Sequence, residues 1–173
     1  TSFKQILALK NYIEPKLKYN DYKLFVQAPG ISRNVLVKSY LENPHSILIG
    51  TSSFWEGVDV PGEALEMVVM VKLPFAVPSE PIIQAQVEQM EEAGRNSFME
   101  FLVPEAVIKF RQGFGRLIRR KTDRGVMIVL DRRVLAKRYG TAFLDSLPNC
   151  ERRAMPLSSV ADATRQWLAQ ERL

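Results

Sequence analysis

Four short segments of this 173-residue chain carry the hydrophobic pattern of strands: Lys23–Gln27, Ser46–Gly50, Met67–Lys72 and Val126–Asp131. The last three are near-continuous apolar runs, such as Ser46-Ile47-Leu48-Ile49 and Val126-Met127-Ile128-Val129-Leu130. A strand without alternation has no wet face, so these runs predict strands covered on both sides, as in a parallel sheet sandwiched by helices. Between them apolar positions recur at helical spacing, over about Ser2–Lys18, Ser32–Glu42, Glu80–Ala93 and Val103–Lys121. Ser32 stands at an N-cap position and Gly94 at a C-terminal stop. Alternating strands and helices predict an α/β domain with right-handed crossovers and a mostly parallel sheet.

Two stretches depart from that alternation. Leu73–Pro81 holds three prolines in nine residues, which forces an extended loop after the third strand. About 50 residues then separate the third strand from the fourth, room for two helices at about 1.5 Å of rise per residue. After Asp131 the pattern reads as short helices, with breaks at Leu147-Pro148-Asn149 and Met155-Pro156 and a final amphipathic helix over Ser158–Arg172. The expected division is a domain over 1–147 and a helical tail over 148–173. Thr1-Ser2 is placed like an N-cap directly ahead of the first helix. A strand would ordinarily precede that helix, so the expectation is a piece of a longer protein with at least one strand upstream.

Composition narrows the class. Apolar content of 46% and charged content of 25% are ordinary for a soluble globular domain. No apolar run approaches the roughly 18 residues of a membrane span, and no basic-then-apolar leader follows Thr1. A cytoplasmic protein with no membrane partner is expected. The single cysteine, Cys150, excludes an internal disulfide and a Cys-rich zinc or iron–sulfur site within the chain, so no metal ligands are assigned here. His45, the one histidine, lies in the turn-like Asn43-Pro44-His45-Ser46 and is read as structural. Net charge is +5, with a pI near 9.4. The excess is local: Lys109–Arg124 holds seven Lys or Arg against one Asp. Such a stripe suits a polyanion, either nucleic acid or nucleotide phosphates.

Within that stripe, Gln112-Gly113-Phe114-Gly115-Arg116-Leu117-Ile118-Arg119-Arg120 carries the most specific chemistry. On a continuous helix Gln112, Arg116 and Arg119 share one face at i, i+4 and i+7. Val107, Phe110, Phe114 and Leu117 line roughly the opposite face. Two guanidinium forks on one side suit bidentate contacts to a polyphosphate. Their charge also suits a phosphoryl transition state, the role of an arginine finger. A merely solvated Arg-rich face is the ordinary alternative. Gly113 and Gly115 argue against it. Each costs a helix interior about 1 kcal/mol relative to Ala, which makes sense where something must approach the backbone closely.

A second segment, Gly50-Thr51-Ser52-Ser53-Phe54-Trp55-Glu56-Gly57-Val58-Asp59-Val60-Pro61-Gly62, follows the second strand. Ligands of open α/β sheets bind beyond the carboxyl ends of strands, where this loop falls. Its small hydroxyls and backbone N–H groups are typical donors to a sugar–phosphate backbone. Asp59 can accept from a ribose hydroxyl, and Glu56 can hold an arginine of the other segment. The competing reading is a plain turn with Phe54 and Trp55 as core plugs, and for those two aromatics the core reading is favoured.

Together the two segments resemble the second RecA-like motor domain of the DinG/XPD family of superfamily 2 DNA helicases. Phe54–Asp59 is similar to motif V of that family and Gln112–Arg119 to motif VI. Thr122-Asp123-Arg124-Gly125, followed by a strand ending in Asp131-Arg132-Arg133, also fits. Thr1-Ser2 resembles the end of motif IV, and Leu73-Pro74-Phe75 with Pro78 the proline loop of bacterial DinG-like members. The resemblance runs from Thr1 to about Leu147.

What the resemblance implies is half of an ATP-dependent DNA helicase motor with a RecA-like fold. ATP with Mg²⁺ would sit between this domain and an N-terminal RecA-like domain that carries the Walker A loop and the Mg²⁺ ligands. No Gly-x-x-x-x-Gly-Lys-Ser/Thr run occurs here. Arg119 is expected as the arginine finger and Arg116 as a second phosphate contact. Gln112, Glu56, Gly57 and Asp59 are expected at the nucleotide, and Ser2, Thr51, Ser52 and Ser53 at the backbone of single-stranded DNA. Translocation from 5′ to 3′ and a place in DNA repair are implied by resemblance only. Two alternatives stay open: a non-catalytic nucleic-acid-binding module on a RecA-like fold, and an RNA-remodelling ATPase.

Overall fold

The computed structural model describes residues 3–54, 65–120 and 123–170. Helix α1 (Phe3–Leu17) leads into β1 (Lys23–Val26), α2 (Arg33–Leu41) and β2 (Ser46–Ile49). A 3₁₀ turn over Ser52–Phe54 follows. Then come β3 (Met67–Met70), α3 (Pro81–Glu92), α4 (Val103–Leu117) and β4 (Val126–Val129). Helices α5 (Arg133–Ala136), α6 (Gly140–Asp145) and α7 (Leu157–Leu168) close the chain. A π-helical stretch, Phe98–Leu102, runs directly into α4.

All four expected strands are present, each trimmed by one or two residues at its carboxyl end. They pair in parallel as two ladders, β1 with β2 and β3 with β4. Lys23 faces Ser46 in the first register and Met67 faces Val126 in the second. Helix α2 packs on β1 and β2, whereas α4 packs on β3 and β4. This is the α/β architecture with parallel strands that the apolar runs predict.

Each ladder has its own apolar cluster. Leu36, Val37 and Phe54 form one, with Phe25, Tyr40, Leu48 and Leu65 packed against it. The larger one contains Met70, Leu73, Val103, Ala106, Phe110, Val134 and Phe143. There Phe110 meets Phe143 edge-on, ring centroids 5.4 Å apart, and Phe75 meets both Phe143 and Tyr139 edge-on. Such pairs are worth about 0.5–1.5 kcal/mol beyond the area they bury.

The segment Leu65-Glu66 joins the two halves. Leu65 packs on the first cluster. The Glu66 carbonyl accepts from Val126 N at 2.9 Å, opening the β3–β4 ladder. The Glu66 charge also reaches Tyr40 of α2, whose phenol is pushed up first by burial and then by that carboxylate. Ser32 does occupy the N-cap of α2, although its side chain makes no capping bond. Gly94 follows α3 at φ +72°, the left-handed conformation that ends a helix most cheaply with glycine.

The proline loop, expected to be extended, carries turns, with Phe75 N–H donating to the Leu73 carbonyl at 2.9 Å and Glu80 N–H to the Val77 carbonyl at 3.0 Å, and it is pinned. Asp131, just past β4, accepts from the Leu73 N–H at 3.0 Å. One carboxylate thereby ties the carboxyl ends of β3 and β4 together.

Candidate functional site

Helix α4 shows the amphipathic split that its sequence predicts, up to Leu117. Phe110 and Leu117 are fully buried, and Phe114 nearly so. Gln112 and Arg111 are exposed on the other side, and Arg116 is half-buried. Gly113 is buried on the core side. Gly115 is not: a Cβ built there would meet nothing within 4 Å. The backbone at Gly115 is therefore open to close approach from outside.

One expectation is corrected. The helix was expected to run to Lys121, placing Arg119 on the same face as Gln112 and Arg116. It ends at Leu117, because Ile118 is extended, with φ −121° and ψ 107°. The physical reason lies in the next turn. The Asp123 carboxylate accepts from the backbone N–H groups of both Arg119 and Arg120, each at 2.8 Å. These bonds, Arg120 first, hold its carboxyl below the usual carboxylate range. A β-branched residue followed by an acidic residue poised to cap the loop competes successfully with another helical turn. Arg119 thus projects from a capped loop, exposed, and not from a helix face.

Arg116 in the last turn of α4 is favourably placed against the negative end of the helix dipole. Its Nε is buried and has no hydrogen-bond partner among the described residues. A buried donor left unmade costs about 1–3 kcal/mol. Half-buried Arg116, the open flank of Gly115 and the capped loop of Arg119 lie within five consecutive residues. Together they offer guanidinium donors beside bare backbone, a constellation suited to phosphate oxygens.

Where the chain then turns into β4, the packing is tight. A Cβ at Gly125 would lie 2.4 Å from Leu117 Cδ1 and 2.9 Å from the Glu66 carbonyl oxygen. Only glycine fits between the buried end of α4 and the start of β3.

The other segment begins at the carboxyl end of β2. Thr51 N–H donates to Gln27 Oε1 at 2.8 Å, and Thr51 Oγ1 donates to the same atom at 3.1 Å. Phe54 N–H donates to the Thr51 carbonyl at 2.9 Å, closing the 3₁₀ turn. The expectation of accessible backbone N–H groups is therefore corrected for Thr51 and Phe54, whose donors are used within the fold. Gln27, which sequence reasoning treated only as the end of a strand, organises this turn. The signal was available: a lone amide directly after the apolar run Leu24-Phe25-Val26. Phe54 is a core plug, buried at 6% exposure, with the Arg33 guanidinium 5.9 Å from its ring centroid. Ser52 lies half-buried in the turn.

The two segments are anchored in different apolar clusters, Phe54 on α2 and Phe110 beneath α4. Ser2, Trp55, Glu56, Gly57 and Asp59, and the side chain of Ser53, lie outside the described residues.

Two further arginines are held by partners within the fold. Arg133 meets Asp131 through Nε at 2.9 Å and a terminal nitrogen at 2.6 Å, over the Phe75 ring. Its guanidinium, ahead of the Leu73 and Arg133 N–H groups, brings the Asp131 carboxyl down to about 2. Arg124 donates to the carbonyls of Trp167 and Gln170, and its guanidinium lies 4.4 Å from the Trp167 ring centroid. Among the described residues there is no group of three or more His, Cys, Asp or Glu that could hold a metal ion. No described helix is long and apolar enough to cross a membrane.

Comparison with known proteins gives a consistent set. Residues 1–150 match the helicase C-terminal domain family. The chain is 43% identical over 152 residues to the ATP-dependent DNA helicase YoaA of Haemophilus influenzae, covering 88% of this chain and 23% of that protein. It is 42% identical to the ATP-dependent DNA helicase DinG of Photobacterium profundum, covering 88% of this chain and 22% of that protein. It is 43% identical to the 3′-5′ exonuclease DinG of Bacillus subtilis, covering 79% of this chain and 15% of that protein. The chain thus spans about a fifth of the length of these relatives.

Proposed function

Because this chain belongs to the helicase C-terminal domain family, we propose that it is the second RecA-like half of an ATP-dependent DNA helicase motor. ATP binds in the cleft it forms with a first RecA-like domain of the same protein. That domain supplies the Walker A loop and the ligands of Mg²⁺. This half supplies Arg116 and Arg119 to the phosphates and Gln112, Glu56, Gly57 and Asp59 to the rest of the nucleotide. Ser2, Thr51, Ser52 and Ser53 face the backbone of single-stranded DNA, along which the motor moves 5′ to 3′. DNA is preferred to RNA because relatives at more than 40% identity are named DNA helicases.

The observation that carries this reading is the buried Nε of Arg116, without a partner among the described residues. An anionic oxygen arriving beside Gly115 would satisfy it. Arg119, on its capped loop, stands three residues further on. As the cleft closes, its planar fork would meet charge that develops on the transferred phosphoryl group, a stabilisation water cannot match inside a closed site. Motif V, with DNA-facing hydroxyls at one end and Asp59 at the other, would couple the two ligands.

The test is a pair of assays on the 173-residue chain. It should not hydrolyse ATP, because the phosphate cradle lies in the other domain. It should bind single-stranded DNA weakly and with steep salt dependence, since phosphate contacts dominate such binding. Robust ATP hydrolysis by the purified chain would overturn the half-motor reading.

A further inference from the structure

The family match ends at residue 150, yet α7 beyond it is tied to the loop that carries Arg119. Helix α7 buries none of its residues fully. Its half-buried positions, Val160, Ala163, Thr164, Trp167 and Leu168, recur at helical spacing along one face. Among the described residues its polar tie to the domain is made by Arg124. That guanidinium donates to the Trp167 and Gln170 carbonyls at the carboxyl end of the helix and covers the Trp167 ring. A cation there meets the negative end of the helix dipole and an aromatic face together. Two of its terminal N–H donors and one face of its guanidinium are used within the fold, which turns Arg124 towards the tail although it lies in the basic stripe.

The same loop has two other fastenings. Asp123 caps the N–H groups of Arg119 and Arg120. Gly125 is wedged between Leu117 and Glu66. Arg124 lies between these fastenings in sequence and is the one that reaches out of the family domain to the tail.

We propose that α7 is a strut that sets the position of the Arg119 loop, and that Arg124 is a positioning residue of the motor acting through its clamp on Trp167. The proposal rests on the reading of Arg119 as a phosphate-directed arginine. A misplacement of about 1 Å in such a group can cost on the order of 100-fold in rate, so a loosened loop should be visible in turnover.

The experiment uses the whole protein, with Arg124→Ala, Trp167→Ala, the double variant and Arg119→Lys as reference. DNA-stimulated ATP turnover should fall about 10-fold in each clamp variant. KM for ATP, affinity for single-stranded DNA and its salt slope should stay within about twofold, since neither residue touches a ligand. The double variant should fall no further than either single one, because both remove one clamp. Trp167→Phe, which keeps a ring beneath the guanidinium, should recover most of the turnover. Normal kcat in both clamp variants, with Arg119→Lys inactive, would overturn the strut and leave the motor reading standing. A weaker, less salt-dependent DNA affinity in Arg124→Ala would overturn it in favour of a DNA contact. Normal turnover in Arg119→Lys would instead remove the reading on which the strut rests.

Discussion

Arg133 and Arg116 flank the same strand and answer opposite needs. Arg133, just after β4, has its guanidinium locked on Asp131 and laid over Phe75. Arg116, before β4, is half-buried with an Nε that meets no partner among the described residues. The first is a strut whose charge is neutralised at home. The second has a buried donor that no described residue satisfies. Sequence singles out Arg116 by its place in the Gln112–Arg119 segment but does not show what either guanidinium meets. What separates them is whether each donor has an acceptor, and an unmet donor in a protein that folds points to a ligand.

The comparison breaks most sharply at the end of the basic segment. In the whole protein, Arg119→Lys should reduce ATP turnover by on the order of 10³ or more. Lysine keeps the charge but loses the planar fork. DNA binding and thermal stability should stay near normal, because lysine keeps both the backbone N–H that the Asp123 cap accepts and the positive charge beside it. A solvated arginine would behave otherwise, with normal turnover and a stability change within about 0.5 kcal/mol. Normal turnover in a well-folded Arg119→Lys protein would withdraw the finger assignment.

The strut side should fail in the opposite way. Asp131→Asn should lower stability by about 2 kcal/mol at neutral pH, the scale of hydrogen bonds to a charged group. The pH dependence follows from the carboxyl being held at about 2 against an ordinary value of 3.8. Because the folded value is depressed, the stabilisation is complete above about pH 4 and disappears as pH falls through 2. Wild-type and Asp131→Asn denaturation curves should therefore converge between pH 4 and pH 2. A gap that persists at pH 2 would mean that Asp131 acts through shape and not through its charge.

Much of the fold was legible because it depends on pattern. Near-continuous apolar runs marked the last three strands and a shorter apolar core, Leu24-Phe25-Val26, the first, and the 3.6-residue period marked α1 to α4 and α7. The core face of α4 was readable from Phe110, Phe114 and Leu117. What escaped were competitions between nearly equal local choices. Helix pattern continued to Lys121, but extended Ile118 and the Asp123 cap ended α4 four residues earlier, at Leu117. The loop after β2 read as open donors, but Gln27, more than 20 residues away, took the Thr51 N–H. Nor could sequence show that Arg124 faces the tail, since that partner lies more than 40 residues downstream. Non-local hydrogen bonds leave no period behind them.

The smallest expected effect is the most discriminating between an arginine face built for water and one built for a ligand. At Gly115 a methyl group would meet nothing within 4 Å, and the position lies inside helix α4. Gly115→Ala should therefore stabilise the isolated chain by about 0.5–1 kcal/mol, through the entropy of the unfolded state and the helix preference of alanine. If that flank were simply solvated, the whole protein would gain the same amount and turn over normally. If a phosphate or the partner domain comes against the bare backbone when the cleft closes, the added methyl obstructs it. Turnover should then fall several-fold, or KM for ATP rise, while stability still increases. A variant that is more stable and less active at one site separates function from folding, because loss of structure cannot explain it. Gly115→Ala with raised stability and unchanged kcat and KM would show that nothing approaches α4 there, leaving the unmet Nε of Arg116 to be explained by the chain itself.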